Sequence, residues 1–403
     1  MREECIVTRY TSHDLWRGAR AALLGIVALG LCGCFPGVKP NASDKLIELM
    51  WPEPPLKTRI KFVGNLTGEH ELATGFNWKK DLTEFLAGTP TTETELANPM
   101  GIVVSADAQR VYVTDLPQQR VFVFDLANKS VKAWPAEQTK VAGPLGIALD
   151  ADENVYVVDS TEKKVVVLNR DGKPVRTFTH PSFIRITGIA VDSKRGRIYV
   201  SDTSHQKSPE HKVRVFDLQG QYVKELGKGK GFEEGYLLFP TYLTVDDAGL
   251  VYVADSMNAR VQAFDPDSGA VVRTYGQRGT AYGEFERPKG LALDTFGNLY
   301  VADSGWANVQ IFNRKGQVLL YFAGRGRYPG LLNNPAGMAI DKNNRIYVAD
   351  TQNFRLSVYQ LVNTTADDSF ETADQTPQGS APGPVKASRD KQEAMVPGTV
   401  RSN

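Results

Sequence analysis

Apolar and polar residues alternate along most of this chain, in runs of about five that stop at turn-forming residues. Residues 242–275 set the pattern: YLTVD, the turn DAGL, VYVAD, the loop SMNAR, VQAFD, the turn PDSG and VVRTY. A period of two puts every second side chain on one face, which is the signature of a β-strand. Four such strands with tight connections predict one antiparallel unit. The unit recurs along the chain. A glycine with an apolar follower stands at Gly101, Gly146, Gly188, Gly290 and Gly337, while Tyr242 holds the same place in one copy. Ten or eleven residues later comes a tyrosine, and three further on an aspartate: Tyr112 and Asp115, Tyr156 and Asp159, Tyr199 and Asp202, Tyr252 and Asp255, Tyr300 and Asp303, Tyr347 and Asp350.

Six four-stranded units of this length predict an all-β fold, a six-bladed β-propeller. The motif resembles the NHL repeat over about residues 98–362, with blade cores starting near 98, 143, 185, 239, 287 and 334. The sixth unit runs out after its third strand, Leu356–Leu361. Upstream, Arg59–Gly64 is similar to Val272–Gly276, so residues 58–66 are expected to complete blade six and close the ring from the N-terminal side. Closure removes an exposed sheet edge. The propeller is then expected over residues 56–362, after a tether at 34–55 with a short helix at Asp44–Met50. A second short helix is expected at Lys79–Leu86. Residues 363–403, poor in apolar residues, read as a disordered tail.

The N-terminus reads as an address. Arg17 and Arg20 precede the apolar run Ala21–Leu31, which is too short to span a bilayer and suits a secretory signal. The run ends in Leu31-Cys32-Gly33-Cys34, which resembles a bacterial lipobox with Gly33 before the lipidated Cys34. That resemblance implies removal of residues 1–33 and a lipid anchor on Cys34. With Phe35 next, it also implies sorting to the outer membrane, facing the periplasm.

Composition narrows the function. Lys plus Arg number 47 and Asp plus Glu 46, a net charge of +1 that excludes a general affinity for nucleic-acid phosphates. Three cysteines provide no disulfide framework. The repeated aspartates read as scaffold, since an active site has no six-fold symmetry. Asp150, Asp152 and Asn154 begin like a calcium loop, but Val155 and Thr161 stand where that loop needs Gly and Glu, so a hairpin turn is expected. The glycine runs at 227–231 and 276–279 lack the Gly-Lys-Ser/Thr of a phosphate loop and read as links between blades. His180, His205 and His211 are weak candidate metal ligands, and no cofactor is expected.

The departures from the repeat carry more information. Tyr242 is expected to project towards the axial opening. Trp306 replaces the loop Asn258 and Asn353 of neighbouring blades, and Met257 and Phe354 lie in equivalent loops. With Lys289, Arg278 and Arg325 they predict an aromatic and basic sector over blades four to six. Exposed aromatics with arginine are typical of contact surfaces. The expected function is a non-catalytic, monomeric binding module for an envelope protein, peptide or glycan. Six-bladed propellers also include lactonases and lyases with a divalent metal at the axial mouth, so a metal-dependent periplasmic enzyme is the alternative. Here the mouths carry Met100, Leu145, Thr187, Thr241, Lys289 and Ala336, which are poor ligands.

Overall fold

The structure, a computed structural model, describes residues 49–69, 72 and 95–365. Six antiparallel sheets follow one another along the chain. In each of the first five blades the chain runs from an inner strand outward through three hairpins. Blade four comprises Pro240–Val245, Val251–Asp255, Arg260–Phe264 and Val271–Tyr275. The inner strands of blades one to six begin at Pro99, Pro144, Ile186, Pro240, Pro288 and Pro335, one residue after the positions expected from the repeat.

Blade six closes as expected. Ile60–Leu66 pairs antiparallel with Arg355–Leu361, from Ile60 opposite Leu361 to Leu66 opposite Leu356. Part of the expected tether joins it. Met50–Trp51 is a further strand on the outside of Ile60–Leu66. Met50 is therefore extended rather than the end of a helix. The reason is the Trp51 ring, which packs 6.0 Å from that of Phe322 and 5.9 Å from that of Tyr359. Burying a large aromatic stabilises by roughly 1.5–3 kcal/mol, more than two exposed residues of helix would contribute. Residues 1–48, Lys79–Leu86 and the tail beyond 365 lie outside the described residues, and with them the signal, Cys34 and most of the expected first helix.

The core is a ring of joints. Each of the six apolar clusters lies between two neighbouring blades: Tyr112 with Ile147 and Val157, Tyr156 with Ile189 and Val200, Tyr252 with Leu291 and Val301. Every repeat tyrosine is buried against the following blade, which explains the fixed place of that residue type. The repeat glycines have a different cause. A Cβ on Gly101, Gly146, Gly188, Gly290 or Gly337 would lie 2.3–2.5 Å from a carbonyl oxygen of the next inner strand. The inner strands approach too closely for any side chain there.

Tyr242 is the exception, and it leans inward as expected. It is partly buried against the apolar cluster shared by blades six and one, across the ring from its own blade. Burial pushes its phenol well above the usual range.

Candidate interaction surface

Two kinds of connection share one face of the ring: the loops between second and third strands, and the links from each outer strand to the next inner strand. The repeat aspartates fasten them together. Asp303 accepts hydrogen bonds from the link amides of Glu286 (2.7 Å) and Arg287 (3.0 Å) and from the loop amides of Gly305 and Trp306. Asp115, Asp159 and Asp202 do the same in blades one to three. All six carboxylates are fully buried. Burial raises those of Asp255, Asp303 and Asp350 above the ordinary carboxylate value, against the hydrogen bonds that lower them. Arg260 and Arg355, five residues on, pair with Asp255 and Asp350 at 2.8 and 2.9 Å. In blade three the partner comes from further along, with Arg214 3.2 Å from Asp202. The ring of aspartates is scaffold.

The links into blades four, five and six share one geometry. In each a basic residue forms an isolated bridge with an apolar one seven positions on: Lys230 with Leu237, Arg278 with Phe285, Arg325 with Leu332. The same cations reach back to carbonyls of the preceding blade's loop: Lys230 to Gln206, Arg278 to Met257 at 2.6 Å, and Arg325 to Gly305. Arg278 and Arg325, read from the sequence as contact residues, are thus also clips that hold the loops.

Trp306 shows how one substitution both conserves and changes the repeat. In blades four and six an asparagine side chain donates to a link carbonyl: Asn258 to Gly231 and Asn353 to Gly326, each at 2.9 Å. In blade five the Trp306 indole N–H donates to the equivalent Gly279 carbonyl at 3.1 Å. The hydrogen bond survives, and the rest of the indole is left at the surface. Met257 and Phe354 are exposed in the neighbouring loops. Phe354 is 56% exposed, held out by a left-handed backbone (φ 59°). The structure adds three residues that the sequence reading missed. Phe232 (73% exposed), Tyr282 and Tyr328 (57%) project from the three links. A small cleft of about 370 Å³ opens beside Tyr282, lined also by Glu284, Phe312 and Val318. The loops and links of blades four to six therefore expose six large apolar side chains alongside several cations.

The histidines do not converge. Both ring nitrogens of His211 bind backbone: Nδ1 accepts from the Phe239 amide at 2.9 Å, and Nε2 faces the His205 carbonyl at 3.2 Å. His180 Nδ1 lies 2.7 Å from the Ser182 hydroxyl, and its ring stacks 4.6 Å from that of Tyr222. Burial lowers the pKa of both. Among the described residues no group of three His, Cys, Asp or Glu is placed to hold a metal. Asp150 caps a hairpin turn, as expected, accepting from the amides of Asp152 and Asn154 at 3.0 and 2.8 Å.

Residues 332–359 match the NHL repeat, and residues 81–206 match the SMP-30/Gluconolactonase/LRE-like region. The lactonase drp35 of Staphylococcus saprophyticus is 28% identical over 120 residues, which are 25% of this chain and 37% of the lactonase. The chain spans less than two fifths of the length of each curated relative it matches here. A Bacteroides thetaiotaomicron protein of unknown function superposes with a TM-score of 0.55 at 17% identity, covering 67% of this chain and 70% of that one. An auxiliary nutrient binding protein of the same organism gives 0.52 at 13% identity, covering 66% and 69%. These likenesses are of fold. The architecture is a six-bladed β-propeller, and its last blade matches the NHL repeat.

Proposed function

We propose that this propeller is a non-catalytic binding module of the bacterial envelope. A lipid on Cys34 holds it at the outer membrane, facing the periplasm, and the loop face of blades four to six takes a protein, peptide or glycan. One observation carries the reading: Phe232, Met257, Tyr282, Trp306, Tyr328 and Phe354 are all exposed on the loops and links of blades four to six, among fixed arginines. Rigid aromatics lose little conformational entropy on binding and supply most of the contact energy in known interfaces. Fixed loops make the surface preorganised. The auxiliary nutrient binding proteins of similar fold support a binding role.

The test is recovery of partners from native membranes in mild detergent, with the wild type and with Trp306→Ala combined with Phe354→Ala. A partner recovered in proportion with the wild type and lost with the variant is expected. Equal recovery with both would remove this face from consideration. A second reading, a metal-dependent lactonase-like enzyme, is favoured by the match over residues 81–206. Metal bound by the purified protein and removed by EDTA, together with lactone hydrolysis, would establish it.

A further inference from the structure

The inner-strand mouths are neutral around the ring except at blade five. Lys289 lies there, partly buried, and its Nζ donates to Asn334 Oδ1 at 3.2 Å. It has no ion pair among the described residues. Two positions earlier, the exposed guanidinium of Arg287 also has none. The acid nearest in effect is Asp303, but its oxygens are taken by four backbone amides. In blades four and six an arginine pairs with the equivalent aspartate, whereas blade five has Asn308 at that place. Blade five thus keeps two cations without counter-ions at the axial end.

A neutral donor stands beside Lys289. Asn334 uses its oxygen for Lys289 and leaves its Nδ2 hydrogens without a partner among the described residues. A partly buried ammonium without a counter-ion is unfavourable and is stabilised by an anion more than an exposed one is. Burial, with Arg287 adding repulsion and Asp303 a weaker attraction, lowers Lys289 to about 8.

We propose that the axial mouth at blade five binds a small carboxylate or phosphate, with Lys289 as its counter-ion, Arg287 as a second cation, and Asn334 as a neutral donor. The site does not depend on the aromatic sector's role in partner binding. It takes a ligand opposite in charge to a metal ion.

The test uses the full chain with its lysines reductively dimethylated with carbon-13. Lys289→Met assigns the Lys289 NMR signal. Acetate and inorganic phosphate are titrated separately, with chloride holding the ionic strength constant. The expected result is a saturable movement of the Lys289 signal with at least one probe, and a rise in its titration midpoint when that probe is bound. Acetate alone would identify a carboxylate site, and phosphate alone a phosphate site. Arg287→Gln, at an exposed position, is expected to weaken the response several-fold while leaving the fold intact. A Lys289 signal that does not move with either probe, or that drifts without saturation alongside the other surface lysines, overturns the proposal. So does an unchanged response in Arg287→Gln.

Discussion

Trp306 allows the fold and the surface to be separated by one change. Replacing it with asparagine restores the residue that blades four and six use, and Asn258 and Asn353 reach the matching link carbonyls at 2.9 Å. Trp306→Asn should therefore keep the hydrogen bond to Gly279 that the indole makes at 3.1 Å, and remove a ring that is 37% exposed. Trp306→Ala removes both. A hydrogen bond of this kind contributes about 0.5–1.5 kcal/mol. For a domain of this size about 1 kcal/mol shifts the melting temperature by roughly 2–4 °C. The expected pattern is a melting temperature near wild type for Trp306→Asn and a loss of a few degrees for Trp306→Ala. Both should lose partner binding, by roughly 2 kcal/mol if the indole is an anchor, which is about thirty-fold. Differential scanning calorimetry and quantitative capture of the membrane partner read the two quantities independently. Trp306→Asn melting as low as Trp306→Ala would refute the substitution argument. Wild-type affinity in both variants would refute the contact role.

Four other outcomes follow from the geometry. Gly146→Ala places a Cβ 2.5 Å from the Thr187 carbonyl and 2.9 Å from the Gly188 Cα, all backbone, so the urea midpoint should fall by about 1–3 kcal/mol equivalent. Trp51→Ala should cost about 3 kcal/mol or less and raise hydrogen exchange first in Ile60–Leu66. Burial lowers the folded pKa of His211, and protonating Nδ1 breaks its bond from the Phe239 amide. Its contribution to stability is thus present above the unfolded histidine value and lost as pH falls through the lower folded value. His211→Gln should then flatten the decline in melting temperature between neutral and mildly acidic pH, and an unaltered slope would count against this account. Asp350→Asn should destabilise by about 3–5 kcal/mol, because it leaves the buried Arg355 without its partner; a loss near zero would contradict the scaffold assignment.

The blades were legible because two signals repeat in phase: strand alternation, and a tyrosine that must reach the next blade. Inner strands consequently began within one residue of expectation. The closing strand was legible because residues 59–64 carry the pattern of a fourth strand. Met50–Trp51 was not, because two residues before a proline show no period, and tertiary contacts hold them: pairing with Ile60–Leu66 and the aromatic pocket of Phe322 and Tyr359. Phe232, Tyr282 and Tyr328 were missed for a related reason. They sit in glycine-rich links, where shape is set by bridges and clips rather than by alternation. Trp306 was visible as an irregularity, but its retained hydrogen bond needed coordinates. The clip role of Arg278 and Arg325 likewise has no signature beyond a basic residue beside a glycine.

The small outer strand of blade six has a mechanical consequence. A pull applied at residue 49 loads Met50–Trp51 before the other described strands. That strand is secured by the Arg59 amide to the Trp51 carbonyl at 2.8 Å, the Phe62 amide to the Leu49 carbonyl at 2.9 Å, and one wedged indole. Behind it lies Ile60–Leu66, paired with Arg355–Leu361 at six positions. Under load, the first should peel away at low force while the ring stays shut. The propeller would then carry a sacrificial latch at the N-terminal edge of blade six, and a force–extension trace with the chain held at residue 49 should show one short early step before the ring itself gives way.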